Sequence, residues 1–278
     1  MTAQAAALRA RVARLCPDWD RGRISGFIYL EGGYSNDNYR FEYGGERFVL
    51  RVPRGRPGPF VDRALERRIY EEGAAAGVPP LVAFDVASGD MICRWVAGTL
   101  LTDRHTDGTE LVTYLRHLHE HVPAVERRYD PLAQARESLE RAGGGPPWLE
   151  RVAAERRWEP EQLTTCHNDL NPWNVIRTPD DGWTTLDWEW VGRNDPLFDL
   201  VTLHQSGNLE PAELPAMARA YLGGAVDPLR LSRCVVALWL RETAWALAEL
   251  AAGNDRPEIV AQRELGLRRL AESLAAPG

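Results

Sequence analysis

The chain has 278 residues, a formal net charge of −7 and a sequence pI of about 5.5. This length suits one large domain or two smaller lobes, and the acidic balance argues against a nucleic-acid partner, because an acidic surface repels phosphate backbones. Arginines interrupt the N-terminal segment and no apolar run could span a membrane, so we expect neither a signal peptide nor a membrane partner.

The cysteines and the absence of lysine limit the chemistry further. Cys16, Cys93, Cys166 and Cys234 stand singly, without the C-x-x-C spacing of a zinc site or a disulfide framework. We therefore expect a cytoplasmic protein. Because the sequence contains no lysine, lysine Schiff-base chemistry is excluded and arginine must fill any role for a long cationic side chain.

The first part of the chain predicts one helix followed by a strand meander. Residues 3–15 have the spacing of an amphipathic helix, and residues 24–55 alternate between apolar and polar side chains with glycine-rich interruptions. A two-residue turn at Gly44-Gly45 sets the register of one hairpin. Its expected pairs are Tyr43 with Glu46, Phe41 with Phe48, and Asn38 with Arg51. Phe41, Phe48 and Leu50 then share one face, and Val49 and Arg51 share the other.

A helix and two further strands complete a small N-terminal lobe, which we place at residues 1–97. The pattern from residue 59 to Gly77 is helical, with Gly77 as the C-terminal cap. In the second lobe, residues 98–278, helical periodicity dominates. The fold class expected is α+β. The strands predicted after Gly77 are residues 81–86 and 89–98, and the later helices are residues 111–122, 131–142, 212–222, 228–252 and 257–275.

One strand-rich segment interrupts the helical lobe and collects polar side chains. Residues 174–178 and 182–188 are β-prone and flank the turn-forming sequence P-D-D-G. A four-residue loop places Thr178 opposite Trp183 and Asn174 level with Asp187. Asp169 precedes the first strand, so we expect three oxygen-bearing side chains to lie together at the open end of this hairpin. Carboxylate and amide oxygens are hard ligands that suit Mg²⁺.

The sequence HNDLNPWN resembles the protein-kinase catalytic loop H-R-D-L-x-x-x-N, and DWE stands where D-F-G follows in those kinases. It resembles more closely the aminoglycoside phosphotransferase and choline kinase superfamily. That resemblance implies a two-lobed kinase-like fold with ATP and Mg²⁺ as cofactors. Asp169, Asn174 and Asp187 would be catalytic: Asp169 as base or orienter of the substrate hydroxyl, and the other two as magnesium ligands. His167 would brace the loop, and Glu189 would help the metal or face the substrate.

The same resemblance assigns nucleotide-binding residues in the N-terminal lobe. Arg51 stands where protein kinases have a strand lysine, with Val49 matching the preceding alanine, and Glu66 matches the helix glutamate that holds this cation. The sequence GGYSNDNY resembles the phosphate-binding loop of choline kinase-like proteins, through Gly33, Ser35 and Asn36. The sequence CRWVAG, with Arg94, Trp95 and Val96, resembles the adenine-contacting hinge. In NDPLFDL, Asp199 would brace the catalytic loop.

The substrate follows less directly from the sequence. Trp188 and Trp190 flank Glu189, and Trp239 and Trp245 lie on a predicted helix, which suits a cationic alcohol bound by cation–π attraction. Packing in the core is an equal alternative for these tryptophans. A choline- or ethanolamine-like alcohol is the first expectation, thiamine or a sugar the second and an aminoglycoside the third. A catalytically inactive nucleotide-binding or metabolite-binding protein of this fold is the alternative from another functional class.

Overall fold

The computed structural model describes residues 3–33, 35–55, 58–103, 106–207 and 209–275. Contacts divide the chain into two compact units. The sheet unit comprises the described residues of Met1–His105, Glu120–Pro123 and Pro172–Val191, and the helical unit comprises those of Thr106–His119, Ala124–Asn171 and Gly192–Gly278. The predicted domain boundary between residues 97 and 98 stays a proposal.

Five antiparallel strands form the main sheet of the sheet unit. They are β1 (Ser25–Leu30), β2 (Asn36–Tyr43), β3 (Glu46–Pro53), β4 (Leu81–Phe84) and β5 (Met91–Arg94). The order across the sheet is β1-β2-β3-β5-β4. Gly44 and Gly45 form the turn between β2 and β3, both with positive φ. The three predicted pairs of this hairpin are confirmed.

One face of this sheet packs against α1 (Ala3–Leu15), the helix predicted for those residues. Phe41, Phe48 and Leu50 are at most 2% exposed and share a core cluster with Leu8 and Val12 of α1. Each such buried side chain contributes roughly 1.5–3 kcal/mol. Because side chains alternate along a strand, the neighbouring positions of β3 point to the opposite face.

The second helix of this unit begins later than the sequence pattern suggests. Helix α2 is Arg63–Glu72, because the carboxylate of Asp62 accepts hydrogen bonds from the N–H groups of Ala64 and Leu65 and caps the helix there. The predicted start at residue 59 is therefore wrong. A 3₁₀ turn continues the helix to Gly77, whose φ of 76° confirms its predicted capping role.

A smaller sheet carries the hairpin that was predicted within the second lobe. It consists of β6 (Thr99–Leu100), β8 (Val175–Arg177) and β9 (Trp183–Thr185), with β8 in the centre. The predicted register is wrong by one residue, since Arg177, and not Thr178, lies opposite Trp183. Asp181 takes a left-handed conformation, and the Thr178 N–H donates to Gly182 O, which closes a three-residue loop.

The remaining described β-strands and α-helices belong to the helical unit, except that Glu120 and His121 at the end of α3 (Gly108–His121) are assigned to the sheet unit. Strands β7 (Thr164–Cys166) and β10 (Gly192–Asn194) pair antiparallel. Helices α5 and α6 have no predicted counterpart, whereas α9 has the predicted bounds. None of the described helices is both long and apolar enough to cross a membrane. The helices are α3 (Gly108–His121), α4 (Pro131–Arg141), α5 (Pro147–Glu155), α6 (Pro196–Ser206), α7 (Leu214–Leu222), α8 (Pro228–Ala251) and α9 (Pro257–Ala275).

Candidate active site

A cluster of charged side chains lies in the sheet unit, and all of its members are buried except Asp187, which is partly exposed. It consists of Arg51, Arg63, Glu66, Asp187 and Glu189. Arg51 Nη1, from β3, lies 2.5 Å from Glu66 Oε1 and 3.1 Å from Asp187 Oδ1. Burial by itself would raise the pKa of Glu66, but the guanidinium of Arg51, and after it that of Arg63, outweighs this effect and lowers the pKa. Glu66 is therefore a fully buried carboxylate that holds Arg51 in place.

Arg63 is a member of this charge cluster that the sequence analysis missed. Its Nη1 lies 2.6 Å from Glu66 Oε2 and 3.4 Å from Glu189 Oε2. Arg63 precedes Glu66 by three residues on α2, and residues at this spacing share a helix face. That spacing is a usable signal, because it brings a second guanidinium beside the carboxylate that holds Arg51.

Glu189 lies beside Arg63 but differs from Glu66 in its surroundings. Burial, followed by the negative charges of Asp187 and Glu66, raises the pKa of Glu189 to about 8. Arg51 and Arg63 oppose this rise without cancelling it. Asp187 and Glu189, the two acids of the DWE sequence, thus lie in one cluster with Arg51, the cation predicted on the strand.

Asp187 and Asn174 lie at the open end of the hairpin formed by β8 and β9. The N–H of Leu186 donates to Asn174 O at 2.8 Å, so Leu186, and not Asp187, is level with Asn174. The expected pairing of Asn174 with Asp187 is therefore wrong by one residue, as for the whole hairpin. Asp187 has a φ of 61°, and its N–H donates to the hydroxyl of Tyr70. Such a conformation in a residue other than glycine is uncommon and is often found at functional sites.

Two groups of the sheet unit are suited to an anionic ligand. Arg51 is 4% exposed, yet its Nε and Nη2 atoms have no hydrogen-bond partner among the described residues. Asn36 is 3% exposed, and both polar atoms of its side chain are likewise without a partner there. Buried donors without partners are rare, and phosphate oxygens would satisfy them. With the hard oxygens of Asp187 and Asn174, this donor set fits a nucleotide with Mg²⁺.

The glycine-rich segment shows why a glycine stands at position 33. A Cβ added to Gly33 would lie 2.4 Å from the main-chain oxygen of Asn36, closer than real contacts allow. Ser35 is exposed, and its main-chain oxygen accepts from the N–H of Arg54. Tyr34 of the quoted motif lies outside the described residues. The tight turn that the motif implies is therefore built on Gly33.

The predicted hinge segment follows β5. The N–H of Arg94 donates to Pro80 O, and the N–H of Trp95 donates to Arg47 O. The Arg94 side chain is exposed and lies 2.8 Å from Glu46. Val49 lies on β3, and Val96 follows Trp95 in the hinge. Contacts of these residues with a nucleotide stay predictions.

The loop that carries Asp169 belongs to the helical unit, where α6 fixes it. Asp199 accepts hydrogen bonds of 2.8 Å from the N–H groups of both His167 and Asn168. The N–H of Asp169 donates to Nδ1 of His167 at 3.1 Å. The bracing roles predicted for Asp199 and His167 are thus confirmed. Asn168 has a φ of 69°, and the Asn194 amide donates to its side-chain oxygen.

Asp199 is itself held by a buried histidine. His119 Nε2 lies 3.0 Å from Asp199 Oδ2, and the other ring nitrogen lies 2.7 Å from the hydroxyl of Tyr221. Burial tends to raise the pKa of Asp199, but hydrogen bonds and nearby histidines, His119 first, lower it. The brace of the Asp169 loop is therefore an ionised carboxylate.

The tryptophans separate into two groups by exposure. Trp188 is 0% and Trp239 3% exposed, and their indole N–H groups donate to Thr185 O and Gln205 Oε1. These two lie in the cores of their units. Trp190 and Trp245 are partly exposed. Trp173, which the sequence analysis did not single out, is 59% exposed beside Asn174.

The expected meeting of Asp169 with Asn174 and Asp187 stays a prediction, because the first lies in the helical unit and the other two in the sheet unit. Within each unit the structure brings predicted residues together: Arg51, Glu66, Asp187 and Glu189 in one, and Asp169 with its bracing residues in the other. A second missed residue, Arg241 of α8, contacts Asp169 at 3.2 Å.

Comparison with known proteins identifies the class. The family model of the Phosphotransferase enzyme family (APH) matches residues 26–232, so the chain belongs to this family. The predicted superfamily is thereby confirmed.

Individual relatives are more distant. Protein LicA of Haemophilus influenzae is 27% identical over an alignment of 214 residues that covers 68% of this chain and 61% of LicA. Thiamine kinase of Shigella boydii is 24% identical over an alignment of 185 residues that covers 63% of this chain and 64% of that protein. The chain thus matches less than two thirds of the length of either relative. The crystal structure of a choline/ethanolamine kinase family protein from Mesorhizobium loti is 26% identical, with a TM-score of 0.74, covering 98% of this chain and 95% of that one. The predicted α+β kinase-like fold is confirmed.

Proposed function

We propose that this protein is an ATP-dependent kinase that transfers the γ-phosphoryl group to a hydroxyl of a small alcohol. One observation carries the proposal: Arg51 is buried, is held by Glu66 and Asp187, and keeps two N–H-bearing nitrogens without partners in the described structure. A buried cation with unused donors is suited to a nucleotide phosphate, since guanidinium groups bind phosphate oxygens in a fixed geometry.

The other roles follow from the chemistry of each side chain. Asn174 and Asp187 would hold Mg²⁺, which neutralises charge that develops on the phosphates during transfer. Asp169 would orient the acceptor hydroxyl and accept its proton. Arg51 would position the phosphates, with Glu66 fixing its guanidinium. Most of the rate enhancement would then come from positioning and electrostatic stabilisation.

For the acceptor we propose a small cationic alcohol of the choline or ethanolamine type. The likeness to the Mesorhizobium loti protein supports this choice. Trp190 and Trp245 are each partly exposed, and a partly exposed indole ring suits cation–π attraction to such an acceptor. Thiamine is the second candidate, because the thiamine kinase relative favours it. We also propose a cytoplasmic location, which the four buried free thiols support.

The test is ADP release by the purified protein with Mg-ATP and separate acceptors. The panel contains choline, ethanolamine, thiamine, simple sugars and aminoglycosides, with Asp169→Asn as the blank. We expect saturable turnover with choline or ethanolamine. Turnover with another alcohol would keep the kinase and correct the acceptor. ATP binding without turnover across the panel would favour an inactive nucleotide-binding protein.

A matched pair of arginine variants tests the nucleotide side. Arg51→Met should raise the KM for ATP at least tenfold, in line with the loss of one charge-assisted contact of about 1.5–3 kcal/mol. Arg47→Met is the control, because Arg47 lies on the same strand with its side chain 56% exposed. Equal KM values for ATP in both variants would contradict the role of Arg51.

A further inference from the structure

Arg241, a buried arginine on α8, contacts the loop that carries Asp169. It is 1% exposed, and its Nη2 lies 3.2 Å from Asp169 Oδ1. Its Nη1 donates to the main-chain oxygen of Asn168, and to the hydroxyl of Tyr129 at 3.1 Å. One guanidinium thus binds the main chain of one loop residue and the carboxylate of the next.

A second acid shares this guanidinium. Glu242 Oε1 lies 2.6 Å from Arg241 Nη2, and Glu242 Oε2 accepts from the side-chain amide of Gln262 at 3.0 Å. Glu242 is partly exposed, whereas Arg241 is not. Arg241 is therefore fixed from one side by Glu242 and Tyr129, and it presents its remaining donors to the loop.

The contact with Asp169 differs from an ordinary buried ion pair on the same helix. Arg230 binds both oxygens of Asp195 through Nε and Nη2, each at 2.8 Å. Arg241 instead contacts both Oδ1 of Asp169 and the main-chain oxygen of Asn168, so one guanidinium holds the carboxylate together with the loop. Because Asn168 has a positive φ, the loop also needs its main chain held in an uncommon conformation.

We propose that Arg241 is a positioning residue that holds the carboxylate of Asp169 in the orientation that receives the hydrogen bond of the acceptor hydroxyl. This inference rests on the proposed kinase function. If Arg241 positions Asp169, loss of Arg241 lowers kcat and leaves the binding of ATP nearly unchanged. The positive charge of Arg241 also favours the ionised form of Asp169.

The test compares Arg241→Met with Arg230→Met, two buried arginines of α8 that each bind a carboxylate. We expect Arg241→Met to lower kcat by about 10²-fold, the cost of a misplaced reacting group, with the KM for ATP within about twofold. Arg230→Met should keep kcat within about threefold. Arg241→Lys should recover part of the rate, because it restores the charge without the planar fork.

A pH profile adds a readout that a purely structural role would not change. The ionisable groups around Asp169 in this unit include Arg241 and Glu242 of α8, Tyr129, and His167 of its own loop. In Arg241→Met, loss of the positive charge should move the acid limb of the pH profile of kcat to higher pH by about one unit. Glu242→Gln removes a negative charge and should move the limb in the opposite direction.

The outcomes separate the two proposals. An inactive wild-type protein across the acceptor panel overturns the proposed function and this inference with it. An active wild type, with kcat and the acid limb unchanged in Arg241→Met, overturns the inference alone. If Arg241→Met does not fold, Arg241→Lys and Glu242→Gln decide in its place, and unchanged profiles in both overturn the inference.

Discussion

Replacing Glu66 with glutamine tests the buried charge cluster of the sheet unit. Glutamine has the shape of glutamate, so the change removes one negative charge without opening a cavity. Removal of one partner from a buried ion pair costs about 3–5 kcal/mol. We expect a loss near 3 kcal/mol, at the lower end of this range, because Arg51 keeps Asp187 at 3.1 Å. This loss is a large part of a typical stability of about 5–15 kcal/mol.

Urea unfolding followed by tryptophan fluorescence measures this difference at pH 7. Glu71→Gln is the matched control, because Glu71 pairs with Arg67 on the same helix but its side chain is 44% exposed. Exposed pairs contribute little, so the control should change the free energy of unfolding by less than about 0.5 kcal/mol. A change below about 1 kcal/mol in Glu66→Gln would refute the reasoning about the cluster.

Two further predictions concern stability. The lowered pKa of Asp199 means that its contribution is present above about pH 3.9 and is lost as the pH falls through its folded-state pKa. The difference in unfolding free energy between wild type and Asp199→Asn should therefore narrow below that pH in urea titrations. Gly77→Ala should destabilise by at least about 1–2 kcal/mol, because φ is 76° and the new Cβ would lie 2.2 Å from Trp183 O. Gly55→Ala, whose new Cβ would have no described atom within 4 Å, should leave the melting temperature nearly unchanged.

The two hairpins show what local sequence determines. The turn at Gly44-Gly45 has two glycines that both accept positive φ, so its length and the register of β2 and β3 followed directly. In the second hairpin, the left-handed conformation is taken by Asp181. Aspartate does not favour this conformation as glycine does, so the sequence does not mark this position of the loop. The loop therefore closed one residue earlier than expected, and the register moved with it.

In the candidate site, too, the sequence predicts the features that depend on nearby residues and misses those that depend on contacts between distant residues. The spacing of Asp169, Asn174 and Asp187, and the alignment of Arg51 with Glu66, are visible along the chain. Arg241 is missed because it reaches Asp169 from 72 residues further along, and no local pattern records that distance. Burial of Trp188 and Trp239 likewise depends on tertiary packing, which periodicity alone does not resolve.

The measurement that tests the central claim most directly is detection of the phosphorylated acceptor by mass spectrometry. The purified protein is incubated with Mg-ATP and choline, beside Asp169→Asn under the same conditions. We predict a phosphorylated alcohol in equal amount to the ADP formed, and none with Asp169→Asn. Equal product with Asp169→Asn, or ADP without a phosphorylated alcohol from any member of the acceptor panel, would contradict the account.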